Sequence, residues 1–115
     1  MGRLTTHVLD TANGVPGAGI KIELFALEGD RRWVRTVVTN EDGRSDSALL
    51  EGSDFQRGVW ELVFDVGPYF KRLGMAAATP PFLDQVSLRF GIADDSHYHV
   101  PLLVSPWSYS TYRGS

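Results

Sequence analysis

Hydrophobic residues recur in this chain with a period of two, in short runs that are repeatedly cut by turn-forming residues. In "GVWELVFDV", Trp60, Leu62, Phe64 and Val66 alternate with Glu61 and Asp65. In "IKIELFALE", Ile20, Ile22 and Leu24 alternate with Lys21 and Glu23. Such alternation fits a strand with one buried face and does not fit a helix. "LTTHVLDT", "WVRTVVT", "QVSLRFGI", "HYHVPLLVS" and "SYSTYR" read as further short strands. Between them lie "ANGVPG", "GDRR", "NEDGR", "ATPPF" and "PW", which carry the Gly, Pro, Asn and Asp that turns require. Only "PYFKRLGMA" reads as a helix, a short one that starts at Pro68 and has Gly74 near its end. Seven to eight strands with regular turns predict an all-β, two-sheet β-sandwich with one short helix. At 115 residues with no linker or repeat, the expected organisation is a single domain over 1–115.

Composition narrows the function classes. The net charge is −3 and the basic residues form no stripe, so no nucleic acid and no membrane partner is expected. No apolar run approaches the ~20 residues that cross a bilayer. The chain has no cysteine, which excludes thiolate chemistry and fits a reducing compartment. "MGRLTTHVLD" lacks an apolar leader and the closing "RGS" is not a peroxisomal address, so the expected location is cytoplasmic. Gly2 and Thr6 have the spacing of a myristoylation signal, a weak pattern in which Gly2 more simply precedes the first strand.

Strand alternation also orients the three histidines. In "HYHVPLLVS", Tyr98, Val100, Leu102 and Val104 form a uniformly apolar face suited to the core. His97, His99, Pro101, Leu103 and Ser105 then face outward. In "LTTHVLD", Leu4, Thr6 and Val8 share the inner face, and Thr5, His7 and Leu9 the outer one. A single outward histidine is usually just solvated. Imidazoles on two strands beside outward Leu9 and Leu103 instead predict a covered, polar site, with another subunit as the economical cover.

"LTTHVLDTANGVPG", "NEDGR" and "HYHVPLLVSPWSYSTYRGS" resemble the transthyretin-like family in its enzymatic branch, the 5-hydroxyisourate hydrolases. The resemblance runs from Leu4 to Ser115, and the closing "YRGS" separates the hydrolases from the hormone carriers. Gly17 is a small departure, at a position where the family often has alanine. The resemblance implies a transthyretin-like sandwich assembled as a homotetramer, a dimer of dimers with active sites where the dimers meet. It implies opening of the six-membered ring of 5-hydroxyisourate by water, without a cofactor. The product is 2-oxo-4-hydroxy-4-carboxy-5-ureidoimidazoline, in urate degradation. Carried over by position, the catalytic residues are His7, Arg44 and His99. The substrate-binding tail is Tyr112, Arg113, Gly114 and Ser115.

The residue types suit that chemistry. Histidine accepts and returns protons near neutrality. His99 is favoured for activating water and His7 for binding and proton transfer, with their division of labour left open. Arg44, after the Asp42-Gly43 turn, offers a guanidinium to a developing oxyanion. Ser115 fits a positioning group better than a nucleophile. Arg113 either contacts substrate or pins the tail. Two other readings compete: a carrier of small aromatic ligands, and a zinc hydrolase built on His7, His97 and His99. Otherwise His97 is expected to be structural or solvated.

Overall fold

The computed structural model describes residues 2–75 and 78–115. Its strands are β1 (Arg3–Asp10), β2 (Val15–Pro16), β3 (Lys21–Ala26), β4 (Arg32–Val38), β5 (Leu50–Glu51), β6 (Gly58–Asp65), β7 (Gln85–Ile92), β8 (His97–Val104) and β9 (Tyr109–Thr111). One helix, α1 (Val66–Arg72), follows β6. One sheet runs β2-β1-β8-β9, with β5 also paired to β1, and the other runs β4-β3-β6-β7. The expected β-sandwich is therefore present. Among the described residues, β2 and β5 bring the strands to nine, because two-residue strands are too short to show a period in sequence.

Inward residues make one core between the sheets. Leu4 and Val8 from β1, Leu62 and Phe64 from β6, and Leu102 and Val104 from β8 are fully buried within it. Each such side chain contributes roughly 1.5–3 kcal/mol by leaving water. Thr6, on the same inward face, satisfies its hydroxyl by donating to the Val100 carbonyl. Helix α1 begins two residues ahead of Pro68, which still falls in the first turn where proline is tolerated. It stops at Arg72, because Gly74 takes a φ of 71° and its N–H donates to the Lys71 carbonyl. Ala76, the expected helix end, lies outside the described residues. Among the described residues no helix is long and apolar enough to cross a membrane.

All ladders are antiparallel except β1 with β8, which run parallel over eight residues in step. Leu9 lies opposite Leu103 in that ladder, and both are half-buried instead of exposed. Pro101, on the same outer face, is buried.

Asp10 fastens the end of β1. Its carboxylate accepts from the Ala12 and Asn13 backbone amides, from the Asn13 side chain, and from the Tyr69 hydroxyl at 2.7 Å. Burial, and then the hydrogen bond to Asp10 and its charge, push the Tyr69 phenol up to about 12. Tyr69→Phe leaves the buried carboxylate one donor short and should cost about 1.5–3 kcal/mol, read as a lower urea midpoint. Because the folded phenol titrates above its unfolded value, its contribution is present below pH ~10 and lost as pH rises toward 12. Wild type should therefore lose stability across that window more steeply than Tyr69→Phe. Equal slopes would refute the coupling.

Candidate active site

The parallel register places Arg3 beside His97, Thr5 beside His99, and His7 beside Pro101. These residues share the outer face of their sheet, as alternation predicts. The Thr5 hydroxyl lies 2.8 Å from His97 Nε2 and 2.8 Å from His99 Nδ1. The His99 ring centroid is 6.4 Å from those of both His7 and His97. His97 is thus tied into the cluster through Thr5, not merely solvated.

Arg44 arrives from the opposite edge of β1. Asn40 shapes its turn: the Asn40 side-chain oxygen accepts from the Asp42 and Arg44 amides, and its carbonyl accepts from Gly43 N–H. Gly43 has a φ of 75°, and a Cβ there would lie 2.4 Å from the Val8 carbonyl oxygen. Glycine alone lets the turn close on β1, where Val8 N–H donates to the Gly43 carbonyl and Arg44 bridges to His7.

The tail returns to the same place. His99 N–H donates to the Gly114 carbonyl at 3.0 Å, and Gly114 N–H donates to the His99 carbonyl at 2.7 Å. A Cβ on Gly114 would sit 3.2 Å from His99 Cβ and 3.3 Å from its ring Cδ2, so glycine permits this approach. A cavity of about 600 Å³ opens here, lined by Thr5, Arg44, Ser45, His97, His99 and Ser115, among others.

The remaining tail residues are placed differently. Arg113 donates to the Ser96 hydroxyl and the His97 carbonyl, and its guanidinium lies 4.2 Å over the Tyr98 ring. It pins the tail within this chain. Tyr112 is exposed, and with Arg113 it lines a second groove against β7. Neither borders the histidine cavity of the single chain, whereas Ser115 does.

Burial and nearby positive charge favour the neutral forms of His7 and His99. Burial, and then the Arg44 guanidinium, lower the His7 pKa, while a hydrogen bond to the Asp42 backbone and the Asp42 charge partly oppose them. Burial lowers His99 too, with Arg44, His7 and His97 adding to it. A neutral imidazole beside a fixed cation can take a proton while the cation meets developing negative charge. Among the described residues, no group of three or more His, Cys, Asp or Glu is arranged to hold a metal ion.

Sequence reasoning missed Thr5 as a site residue. It lies on the same outward face as His7, two residues before it. Which residue of β8 it would touch depends on the register, which no pattern within one strand records.

The HIUase/Transthyretin family model matches residues 4–114. The chain is 61% identical to 5-hydroxyisourate hydrolase of Pseudomonas aeruginosa, over 100% of this chain and 93% of that one. It is 63% identical to 5-hydroxyisourate hydrolase 2 of Rhizobium meliloti, over 99% and 97% of the two chains. Among solved structures, it superposes on (S)-allantoin synthase with a TM-score of 0.94 at 50% identity, covering 99% of this chain and 44% of that longer one.

The electrostatics can be tested directly. Ring-proton resonances of His7 and His99 should titrate below the ordinary histidine value of about 6.5. Arg44→Gln should move both upward, because it removes a cation that disfavours their charged forms. Titration at the ordinary value, or no response to that substitution, would refute the picture.

Proposed function

Because the chain belongs to the HIUase/transthyretin family across residues 4–114, we propose that it acts as one hydrolase domain, with His99, Arg44 and His7 as its catalytic groups. It hydrolyses 5-hydroxyisourate to 2-oxo-4-hydroxy-4-carboxy-5-ureidoimidazoline in urate degradation. His99 accepts a proton from water as the oxygen attacks the ring carbonyl. The Arg44 guanidinium stabilises the oxyanion that forms. As the carbon–nitrogen bond breaks, a proton returns to the departing nitrogen, with His7 assisting binding and transfer. The carbonyl carbon stays in the opened product as its carboxylate; water attacks it directly without an acyl-enzyme, and this reading employs no metal or cofactor. Gly114 and Ser115 wall the site. Tyr112 and Arg113 reach substrate through the assembly or hold the tail in its path. The observation that carries this reading is the meeting of His7, Arg44, His99 and the tail on one outer face.

The working unit is a homotetramer, a dimer of dimers. In its support, Leu9 and Leu103 lie on the site's face, and Trp107 and Tyr112 stand exposed on the segments around it. Light scattering showing a fully active monomer at assay concentration would refute this.

Freshly made 5-hydroxyisourate, followed in the ultraviolet, should decay faster with the protein, and equally so in excess EDTA. Loss on chelation that zinc restores would overturn the metal-free mechanism. His99→Ala and Arg44→Ala should each lower kcat/KM by about 10²–10⁴-fold with the fold retained. Wild-type turnover in either would remove that residue from the chemistry.

Deleting Arg113, Gly114 and Ser115 removes both backbone hydrogen bonds to His99 and the Arg113–Tyr98 contact. The core does not include these residues, so the truncated protein should fold but be nearly inactive. Unchanged turnover would show that the tail does not wall the site.

A further inference from the structure

We propose that Thr5 and His97 are positioning residues that hold the ring proton of His99 on Nδ1 and leave its Nε2 lone pair free to take the proton from water. The proposal rests on the reading of His99 as the group that activates water.

A threonine hydroxyl carries one hydrogen and can also accept. Thr5 Oγ1 lies 2.8 Å from a ring nitrogen of each of two histidines. With both rings neutral, Thr5 either donates to one ring and accepts from the other, or accepts from both and leaves its own hydrogen without an acceptor, since among the described residues the two rings are its hydroxyl's hydrogen-bond partners. When the hydroxyl hydrogen is used, the two tautomers are linked. In one arrangement, His99 Nδ1–H donates to Thr5 and Thr5 donates to His97 Nε2, so His97 carries its own proton on Nδ1. His99 Nε2 is then an unprotonated base. In the other, His97 Nε2–H donates to Thr5 and Thr5 donates to His99 Nδ1. That puts the His99 proton on Nε2 and removes the base.

Two features favour the first arrangement. With Nδ1 engaged by Thr5, Nε2 is the nitrogen left to meet water in the cavity that His99 and Arg44 share. Arg44 brings a permanent positive charge to that cavity, next to which an electron pair is preferred over an N–H dipole. The first arrangement also survives catalysis. When Nε2 takes the proton, His99 Nδ1–H still donates to Thr5, and the hydroxyl still donates to His97.

The relay is rigidly mounted. Thr5 and His99 are register partners in the parallel ladder, and His99 is also held by the two backbone hydrogen bonds to Gly114. A ring fixed in one tautomer and one orientation meets its substrate without reorganising.

Nitrogen-15 NMR of histidine-labelled wild-type protein reads the tautomer without reference to activity. It should show His99 protonated on Nδ1 and unprotonated on Nε2, with His97 also protonated on Nδ1. Thr5→Val keeps the shape of the side chain but removes the hydroxyl, and should release His99 toward the Nε2–H form. Its kcat should fall about 10–100-fold, the usual range for losing an outer hydrogen-bond partner, with KM little changed. Thr5→Ser keeps the hydroxyl and should restore both the tautomer and most of kcat. His97→Phe should act in the same direction as Thr5→Val.

An Nε2–H tautomer of His99 in the wild type overturns the proposal whatever the kinetics. So does a Thr5→Val protein with unchanged kcat. Should His99→Ala retain full turnover, the assignment of His99 as the base fails, yet the tautomer measurement still decides the relay.

Discussion

Eight consecutive residues of β1 pair in parallel with eight of β8, without a slip. Everything else in the site hangs from that ladder. Parallel pairing at zero offset makes odd-numbered residues of both strands share one face and even-numbered residues the other. The even set packs Leu4, Val8, Leu102 and Val104 into the core. The odd set brings Thr5 against His99 and His97 and lays His7 alongside. A one-residue slip would turn imidazoles into the core and leucines into water, so burial of the apolar face fixes the geometry of the polar one.

The other edge of β1 is completed in pieces. β5 pairs at Arg3 and Leu4, Arg44 bridges at His7, and β2 pairs at Leu9 and Asp10. An edge strand must find partners for its amides and carbonyls or leave them to solvent. Here the partner in the middle is the segment that carries the guanidinium. Gly43 makes this possible, since any Cβ would strike the Val8 carbonyl. The cation therefore reaches its place beside His7 through backbone pairing, and its long side chain needs only to span the remaining gap.

Much of this was legible in the sequence. Alternation located the long strands, β7 residue for residue, and it assigned the inner and outer faces of β1 and β8 correctly. The Asp42-Gly43 turn was legible too, but Arg44 was singled out only by the family resemblance, because an arginine after such a turn is by itself an ordinary surface residue. Three things were not legible. The two-residue strands β2 and β5 are too short to carry a period. The helix boundaries depend on the cap at Gly74 and on burial of Val66, which outweigh the proline signal at position 68. Thr5 and His97 became partners only through inter-strand register. Arg113 shows the converse limit, because spacing shows that a cation is near the site but not that it bends onto the Tyr98 ring.

Core and site are thus interleaved along the same strands, one residue apart, and they are chemically independent. The even positions of β1 and β8 meet the other sheet, and what stands at the odd positions barely affects that packing. The fold can therefore persist while the outer face changes. The sandwich itself does not select a hydrolytic chemistry. On the proposed reading, what does is a short set of outward groups: a threonine linking two rings, a guanidinium brought in by a glycine turn, and a tail whose glycine can lie against His99. Each is held by backbone pairing that the core already enforces, so the sheet supplies the rigidity to the groups to which the proposed reading assigns the reaction.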